Sequence, residues 1–258
     1  MPVILQDRLP FIPWMDPRTA RLPGVLPVTD DWLHQDEAFA GQMAARDLLI
    51  AGQRGAVHAI LPQAQAAAAE LLDLVLANLR CNPGYQIGAD AVRRPDGVAV
   101  PLDRQQPLLT SGRLVQEDLC LMQSQGDEHV LTGAVLCFPA SWTLAQKIGR
   151  PLSSIHQPVL PYTADIGRRV QRMFNAIRPD QPLWRMNYLC YDDPDLHQPR
   201  LETERRPHPQ DRVYLRAERQ CFVRLAVSQA VVFSIHTYVV RVADLPQDAQ
   251  DGMAAAGL

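Results

Sequence analysis

The sequence predicts a single α+β domain, residues 1–258, in which N-terminal helices pack around an antiparallel sheet. Helical patterns occupy the early part of the chain, whereas strand patterns dominate its second half. The strands follow one another through short connections and not through regular helical crossovers, which favours antiparallel pairing with helices packed on the sheet. No internal repeat or linker divides the chain.

Three amphipathic segments predict the main helices. The first covers Asp31–Gly52, with Thr29 as its N-cap and acidic residues in its first turn. The second covers Pro62–Leu79 and is dense in alanine, with a leucine stripe for burial. The third covers Pro161–Ile177. The residues after Leu245 predict a weak helix or a disordered tail.

Six apolar or alternating runs predict strands. They are Gly97–Leu102, Leu114–Met122, Leu131–Phe138, Leu183–Tyr191, Val213–Leu225 and Ala230–Arg241. The run Leu131–Phe138 is almost continuously apolar, which is typical of a central strand covered on both faces. The last two strands are joined by the short segment Ala226–Gln229, of hairpin length. The charged, proline-rich stretch Pro194–Gln210 predicts a loop.

Charge and composition exclude several classes of protein. The net charge is −3 and the sequence pI is about 6.1, with no basic stripe for nucleic acid or an anionic membrane. No run of about 18 apolar residues predicts a membrane span. The N-terminal residues do not resemble a signal peptide, so we expect a cytoplasmic protein.

The cysteine pattern argues against a cysteine-ligated zinc or iron–sulfur site. The five cysteines are widely spaced and form no CxxC pair. Cys120, Cys137 and Cys221 lie in apolar, strand-like runs, so we expect small buried thiols there.

The common cofactor motifs are also missing from the sequence. It contains no GxGxxG, GxxxxGK[ST], HExxH or GxSxG. A self-contained NADPH or flavin enzyme is therefore poorly supported, and redox chemistry would need electrons from another protein. The seven histidines form no His-x-His or His-x3-His pair. That pattern suits a cofactor such as haem, which needs one protein imidazole.

Four segments, in this order and spacing, resemble the haem-dependent oxidative N-demethylase family. They are Leu114–Met122 (LVQEDLCLM), Cys137–Val159 (CFPASWTLAQKIGRPLSSIHQPV), Trp184–Tyr188 (WRMNY) and Leu215–Tyr238 (LRAERQCFVRLAVSQAVVFSIHTY). Each motif is weak alone, but together they span most of Met15–Tyr238. Three departures stand out: Tyr188 where tryptophan is expected, Cys221-Phe222 where Thr-Leu is expected, and Gln229 where glycine is usual.

The resemblance implies a fold, a cofactor and a reaction. The fold is a PAS-like haem fold, and the cofactor is haem b with an axial histidine. The reaction is oxidative N-demethylation of a small secondary amine such as dimethylamine, giving methylamine and formaldehyde. The resemblance also implies a separate NADPH, flavin and iron–sulfur reductase, and transfer of the formaldehyde towards tetrahydrofolate.

Two histidines compete for the role of haem ligand. His156 follows a Gly-Arg-Pro turn and is flanked by Ile155 and Pro158, a setting that can hold an imidazole stiffly against a ring. Its alternative reading is a histidine that anchors a loop through backbone hydrogen bonds. His236 lies in an alternating strand and is the second candidate, with a half-exposed strand residue as its alternative reading.

Cationic side chains are the candidates for binding the haem propionates, because arginine forms bidentate contacts with carboxylates. They are Lys147, Arg150, Arg216, Arg219 and Arg224. Strand alternation places Arg216 and Arg224 on one face with Glu218, and Arg219 on the other. The alternative is a solvated face with weak surface ion pairs.

A dialkylamine is cationic at neutral pH, so its pocket needs a carboxylate, an aromatic face, or both. The carboxylates set in apolar strands are Glu117, Asp118 and Glu218, our candidate catalytic residues. Burying an acid costs free energy unless it is paired or hydrogen-bonded. An acid in an apolar strand therefore suggests a functional site, although structural ion pairs produce the same pattern. Trp142, Trp184 and Tyr188 are the candidate substrate-binding rings, with ordinary core packing as the alternative.

Two other classes of function remain open at this point. The chain could be a non-catalytic haem-binding sensor, because a PAS-like fold alone does not decide function. It could also be a haem-free small-molecule binding protein.

Overall fold

The computed structural model describes residues 2–19, 24–156 and 164–255 of the 258 residues. It contains a seven-stranded sheet, a separate three-stranded sheet, and helices that pack against them. Within the described residues, every pairing between these strands is antiparallel. The predicted α+β class, with an antiparallel sheet, is therefore confirmed.

The N-terminal part holds two short strands and three helices. They are β1 (Leu26–Pro27), α1 (Phe39–Gly52), α2 (Arg54–Val57), β2 (His58–Ile60) and α3 (Gln65–Leu79), which follows a 3-10 turn at Pro62–Ala64. The predicted helix at Pro62–Leu79 is confirmed, and its alanines and leucines form the buried side.

The predicted start of the first helix was wrong. Helix α1 begins at Phe39 and not at Asp31, and Thr29 is not its cap. Asp36 instead accepts a hydrogen bond from the Ala38 amide at 3.0 Å. The preceding residues are held by tertiary contacts, since Trp32 is buried outside any helix.

The middle of the chain builds the small sheet and a hairpin. Its elements are β3 (Gln86–Ile87), β4 (Ala91–Arg93), β5 (Ala99–Pro101), α4 (Pro107–Gly112), β6 (Asp118–Gln125) and β7 (Glu128–Val135). Strands β6 and β7 begin and end a few residues away from their predicted limits. Strand β7 is covered on both faces as predicted, but it lies next to last in the large sheet, beside the short β2.

The C-terminal half agrees most closely with the sequence. Its elements are α5 (Leu144–Lys147), α6 (Leu152–His156), α7 (Ala164–Ala176), β8 (Leu183–Tyr191), β9 (Tyr214–Arg224), β10 (Val231–Arg241) and α8 (Gln247–Ala255). The three predicted strands are confirmed to within one residue at each end. Residues 161–163 of the predicted third helix lie outside the described residues.

The large sheet has the order β1-β8-β9-β10-β6-β7-β2, and its register separates two groups of side chains. One side, which we call the loop face, carries Arg185, Asn187, Glu218, Gln220 and Phe222. Apolar residues from α5, α6 and α7 pack on this side.

The opposite side is the N-terminal face. It carries Trp184, Tyr188, Arg219, Cys221 and His236. Side chains and backbone from the first 36 residues cover part of it, and residues of α1 and α3 pack on the rest. The side chains of neighbouring residues in one strand thus point to opposite faces of the sheet.

Candidate functional site

His156 is the last residue of helix α6 and lies partly buried beside the loop face. Its Nδ1 is 2.9 Å from the Leu152 carbonyl oxygen. Because a carbonyl can only accept, Nδ1 carries the proton and the lone pair of the neutral ring resides on Nε2. Burial, together with the positive charges of Lys147 and Arg185, lowers the pKa of His156. The ring is therefore neutral at pH 7, the form that binds a metal.

Lys147 fixes the position of the helix that carries His156. Its buried Nζ donates to the Ile155 carbonyl at 2.7 Å and to Glu202 Oε1 at 2.5 Å. Arg150 lies 3.5 Å from the same Glu202 oxygen and is about half exposed. Both cations were predicted to bind a cofactor. The structure places them in an ion-pair cluster with Glu202, in which Lys147 also bonds to the backbone of α6.

Strands β8 and β9 supply the polar side chains of the loop face. Glu218 is 8% exposed, and its two oxygens lie 3.4 Å from Arg216 Nε and 3.2 Å from Gln220 Nε2. Arg185 pairs across the strands with Gln220 and shares this side with Glu218. The attraction of Glu218 partly offsets the burial that lowers the pKa of Arg185. Two of the three predicted carboxylates, Glu218 and Asp118, lie on the same side as Arg185 by the strand register.

Two of the predicted strand arginines, Arg216 and Arg224, form hydrogen bonds with backbone carbonyls of the protein itself. Arg216 donates to the carbonyls of Leu196 at 2.8 Å and Phe138 at 2.5 Å. Arg224 donates to the carbonyl oxygens of Ile177 and Phe174, which end helix α7. Its predicted side of the strand, shared with Glu218, is confirmed by the register.

Arg219 points to the N-terminal face, as predicted from the strand alternation. Its guanidinium binds Asp30 Oδ1 at 3.0 Å and the Asp31 carbonyl at 3.1 Å. It also lies over the Trp184 ring, 5.3 Å from the centroid. Arg219 therefore attaches the N-terminal segment to the sheet and does not face His156.

His236 is the centre of a buried charge network on the N-terminal face. Its Nδ1 lies 2.9 Å from Glu117 Oε1 and its Nε2 lies 3.0 Å from Asp36 Oδ2. Burial alone would lower the pKa of His236, but these two carboxylates outweigh it and raise the pKa to about 9. The ring is 1% exposed, so the expectation of a half-exposed strand residue was wrong. Both ring nitrogens donate to carboxylates, which leaves neither for iron.

Glu117 links this network to the N-terminal segment. Its Oε1 also accepts from the His34 amide at 2.7 Å, while the His34 ring lies 2.8 Å from the Tyr238 hydroxyl. Although burial opposes ionisation, the hydrogen bond from His236 helps to hold the pKa of Glu117 below its usual value. Glu117 is therefore ionised and paired, on the side of the sheet away from His156.

Asp118 is wholly buried and holds chain segments together. It accepts from Arg46 at 2.9 Å and from the amides of Cys137 and Phe138 at 2.7 and 2.8 Å. Arg46 also donates to the Gln116 carbonyl. Both carboxylate oxygens of Asp118 are thus bonded to the protein, an arrangement suited to fixing the end of β7.

The predicted aromatic residues are divided between the two sides. Trp142 and Ile155 both pack against the apolar cluster of the loop face. Trp184 and Tyr188 lie on the N-terminal face, with ring centroids 5.1 Å from Phe11 and 5.0 Å from Trp14. Trp142 therefore lies on the same face as the His156 helix, whereas Trp184 and Tyr188 do not.

Sequence reasoning overlooked Arg185, Asp36 and His34. Arg185 lies within the WRMNY motif, and alternation along the strand already placed it opposite Trp184 and Tyr188. Asp36 and His34 gave no comparable signal, because both were assigned to a helix that the chain does not form.

In the described residues, no helix has the length and apolar character needed to cross a membrane. The same residues also contain no group of three or more His, Cys, Asp or Glu side chains arranged to hold a metal ion. The predicted buried thiols at Cys120, Cys137 and Cys221 are confirmed.

One comparison with known proteins bears on this arrangement. A family model described as haem-dependent oxidative N-demethylase, alpha subunit-like, matches residues 26–257. The matched range contains His156, both faces of the large sheet and all the candidate residues above.

Proposed function

Because that match covers most of its length, the chain belongs to the haem-dependent oxidative N-demethylase alpha subunit-like family, and we propose that it catalyses oxidative N-demethylation as a haem-binding subunit. The proposed substrate is a small secondary amine such as dimethylamine, and the products are methylamine and formaldehyde. The fold that we propose for the haem-binding part is the PAS-like one implied by the family resemblance.

The observation that carries the proposal is the state of His156. A metal-binding histidine usually donates its second ring nitrogen to a carbonyl or carboxylate, which orients the ring and fixes its tautomer. The contact between Nδ1 and the Leu152 carbonyl has this form, at 2.9 Å. His236 lacks it, because both of its ring nitrogens donate to carboxylates. We therefore propose His156 as the axial ligand of haem b.

The surroundings of His156 also fit a haem. The neighbouring Ile155 packs against the apolar cluster of the loop face, against which Trp142 also packs. Lys147 holds the Ile155 carbonyl and so restrains the end of α6. When bound, haem supplies the one-electron and dioxygen chemistry that oxidation of an N-methyl group requires.

Glu218 is our proposed binding residue for the amine. A dialkylammonium ion needs a carboxylate when it leaves water, and Glu218 is a predicted acid on the loop face. Asp118 shares that face, but both of its oxygens are already bonded to Arg46 and to two backbone amides. Its contacts with Arg216 and Gln220 hold the carboxylate in place. We propose that Trp142 adds a ring face for the N-methyl groups.

The electrons must come from other proteins. The sequence carries no dinucleotide or flavin motif, and the family description refers to an alpha subunit. We propose a separate NADPH, flavin and iron–sulfur reductase as the electron donor. Tetrahydrofolate as the acceptor of formaldehyde is a further proposal drawn from the family resemblance, and we assign no residue to it.

The first test is the visible spectrum of protein expressed with a haem precursor. We expect a Soret band in the wild type, its loss or shift in His156→Ala, and its retention in His236→Gln. An unchanged band in His156→Ala would refute the assignment of the ligand. The lack of a band in the wild type would refute the haem enzyme altogether.

Turnover is the second test. Haem-loaded protein supplied with a reductase should convert a secondary amine to formaldehyde and a primary amine. Haem binding without consumption of any amine in a broad panel would instead favour the haem-binding sensor.

A further inference from the structure

Arg185 differs from the other arginines of strands β8 and β9. Arg216, Arg219 and Arg224 each donate to backbone carbonyls or carboxylates. Within residues 2–19, 24–156 and 164–255, the Arg185 guanidinium makes no hydrogen bond and no ion pair. It nevertheless lies partly buried on the loop face, in strand β8 near one edge of the large sheet, paired across the strands with Gln220.

Such a guanidinium is costly for the protein alone. Removing a charged group from water destabilises the fold unless a partner of opposite charge replaces the water. Glu218, on the same side, attracts Arg185 without forming an ion pair and is already engaged by Arg216 and Gln220. An uncompensated cation that faces a proposed ligand site is a common sign of a binding residue.

We propose that Arg185 binds a carboxylate of the ligand held on the loop face. This inference rests on the proposed function and names a residue of that same site. The guanidinium has a planar fork of donors that matches a carboxylate in two parallel hydrogen bonds.

The charge balance of the loop face favours an anion as the group bound there. Glu218 is matched by Arg216, whereas Lys147 and Arg150 share the one carboxylate of Glu202. Among the described residues, Arg185 and Arg224 add two positive charges that form no ion pair. A carboxylate bound by Arg185 would offset part of this excess positive charge.

Two molecules could supply this carboxylate. One is the haem, through a propionate group. The other is the substrate, if it is an N-methylated amino acid and not a simple dialkylamine. Both would place a carboxylate against the same guanidinium, so the experiment must distinguish them.

The first measurement needs no haem. Arg185→Met removes the uncompensated charge, so we expect the apo protein to melt about 2–4 °C higher than the wild type, the shift that about 1 kcal/mol produces in a chain of this size. Arg224→Met is the matched control and should melt lower, because Arg224 bonds to the carbonyls that end α7. A lower melting temperature for Arg185→Met would assign a structural role and overturn the inference.

The second measurement compares hemin with hemin dimethyl ester, which lacks free propionates. If Arg185 binds a propionate, the wild type should prefer hemin by about 10-fold to 100-fold, and Arg185→Met should lose that preference. If the substrate supplies the carboxylate, both porphyrins should bind alike. Haem-loaded wild type should then bind N,N-dimethylglycine more tightly than dimethylamine by a similar factor, and Arg185→Met should not.

The outcomes separate this inference from the proposed function. A wild type that binds hemin, with neither preference altered in Arg185→Met, would overturn the inference and leave the proposed function intact. A wild type that binds neither porphyrin would overturn the proposed function. In that case the melting temperatures alone would test the inference. A higher value for Arg185→Met than for the wild type would support it, and a lower value would overturn it.

Discussion

The charge network around His236 predicts a marked loss of stability at alkaline pH. The imidazole donates to Glu117 and Asp36, and its pKa in the folded protein is about 9. In the unfolded chain a histidine has a pKa of about 6.5. Below pH 6.5 the ring is protonated in both states, and the full stabilisation is present. Between pH 6.5 and about 9 the unfolded chain releases the proton while the folded protein retains it.

The size of the effect follows from this difference in pKa. A difference of about 2.5 units, at about 1.4 kcal/mol per unit, corresponds to roughly 3 kcal/mol of folding free energy. The pKa values of Glu117 and Asp36 are lowered by the same contacts with His236. Their shifts are therefore not added to this free energy. His34 and Arg219 also face this network. Burial and the positive charges of Arg219 and His236 lower the pKa of His34, which is therefore neutral between pH 6.5 and 9.

Urea denaturation at several pH values tests this reasoning. We expect the wild type to lose about 3 kcal/mol of unfolding free energy between pH 6.5 and pH 9. His236→Gln should be less stable at pH 6.5, because it leaves two buried carboxylates without their cation, and its stability should change little over the same range. NMR titration of the His236 ring provides a direct check. A wild-type stability that is flat over this range, or a ring that titrates below pH 6.5, would refute the reasoning.

Two further predictions concern the core. Asp118→Asn should destabilise the protein by roughly 3–5 kcal/mol in urea denaturation, because it leaves the wholly buried Arg46 without its counter-charge; a loss below about 1 kcal/mol would contradict the buried pair. Gly112→Ala should cost about 1–3 kcal/mol, since its new methyl group would lie 2.4 Å from Val135 Cγ1. Gly52→Ala, with nothing within 4 Å, is the matched control and should be neutral or stabilising.

The parts of the fold that sequence predicted well depend on local pattern. Strands β8, β9 and β10 have strong alternation or long apolar runs, and their limits agree with the structure. The prediction that Asp31–Ala38 is helical was wrong for the opposite reason. It has helical spacing of apolar residues, but Asp36 and His34 gain more from tertiary contacts with Gln116 and Tyr238 than a helix would give them.

Site residues were harder to predict because the chemistry is assembled across the sheet. Asn187 and Tyr188 are neighbours in sequence, yet they point to opposite sides. The motif R-x-E-R-Q likewise divides between the two faces, with Glu218 on the loop face and Arg219 on the N-terminal face. A motif therefore identifies the strand, whereas the register decides which of its residues share a site.

The two faces also explain how this chain can depart from the family pattern while keeping its proposed site. Tyr188 contacts Trp14 on the N-terminal face, and Cys221 accepts a hydrogen bond from Arg219 on that same face. Neither side chain is directed towards His156.

Phe222 is the departure that lies on the loop face. Its ring packs 5.5 Å from Phe174 and 5.2 Å from Phe233 in the cluster that also includes Ile155. Of these departures, Phe222 is therefore the one on the face of the proposed site. We expect Phe222→Leu to change which amines bind to the haem-loaded protein, whereas Tyr188→Trp should leave amine selectivity unchanged.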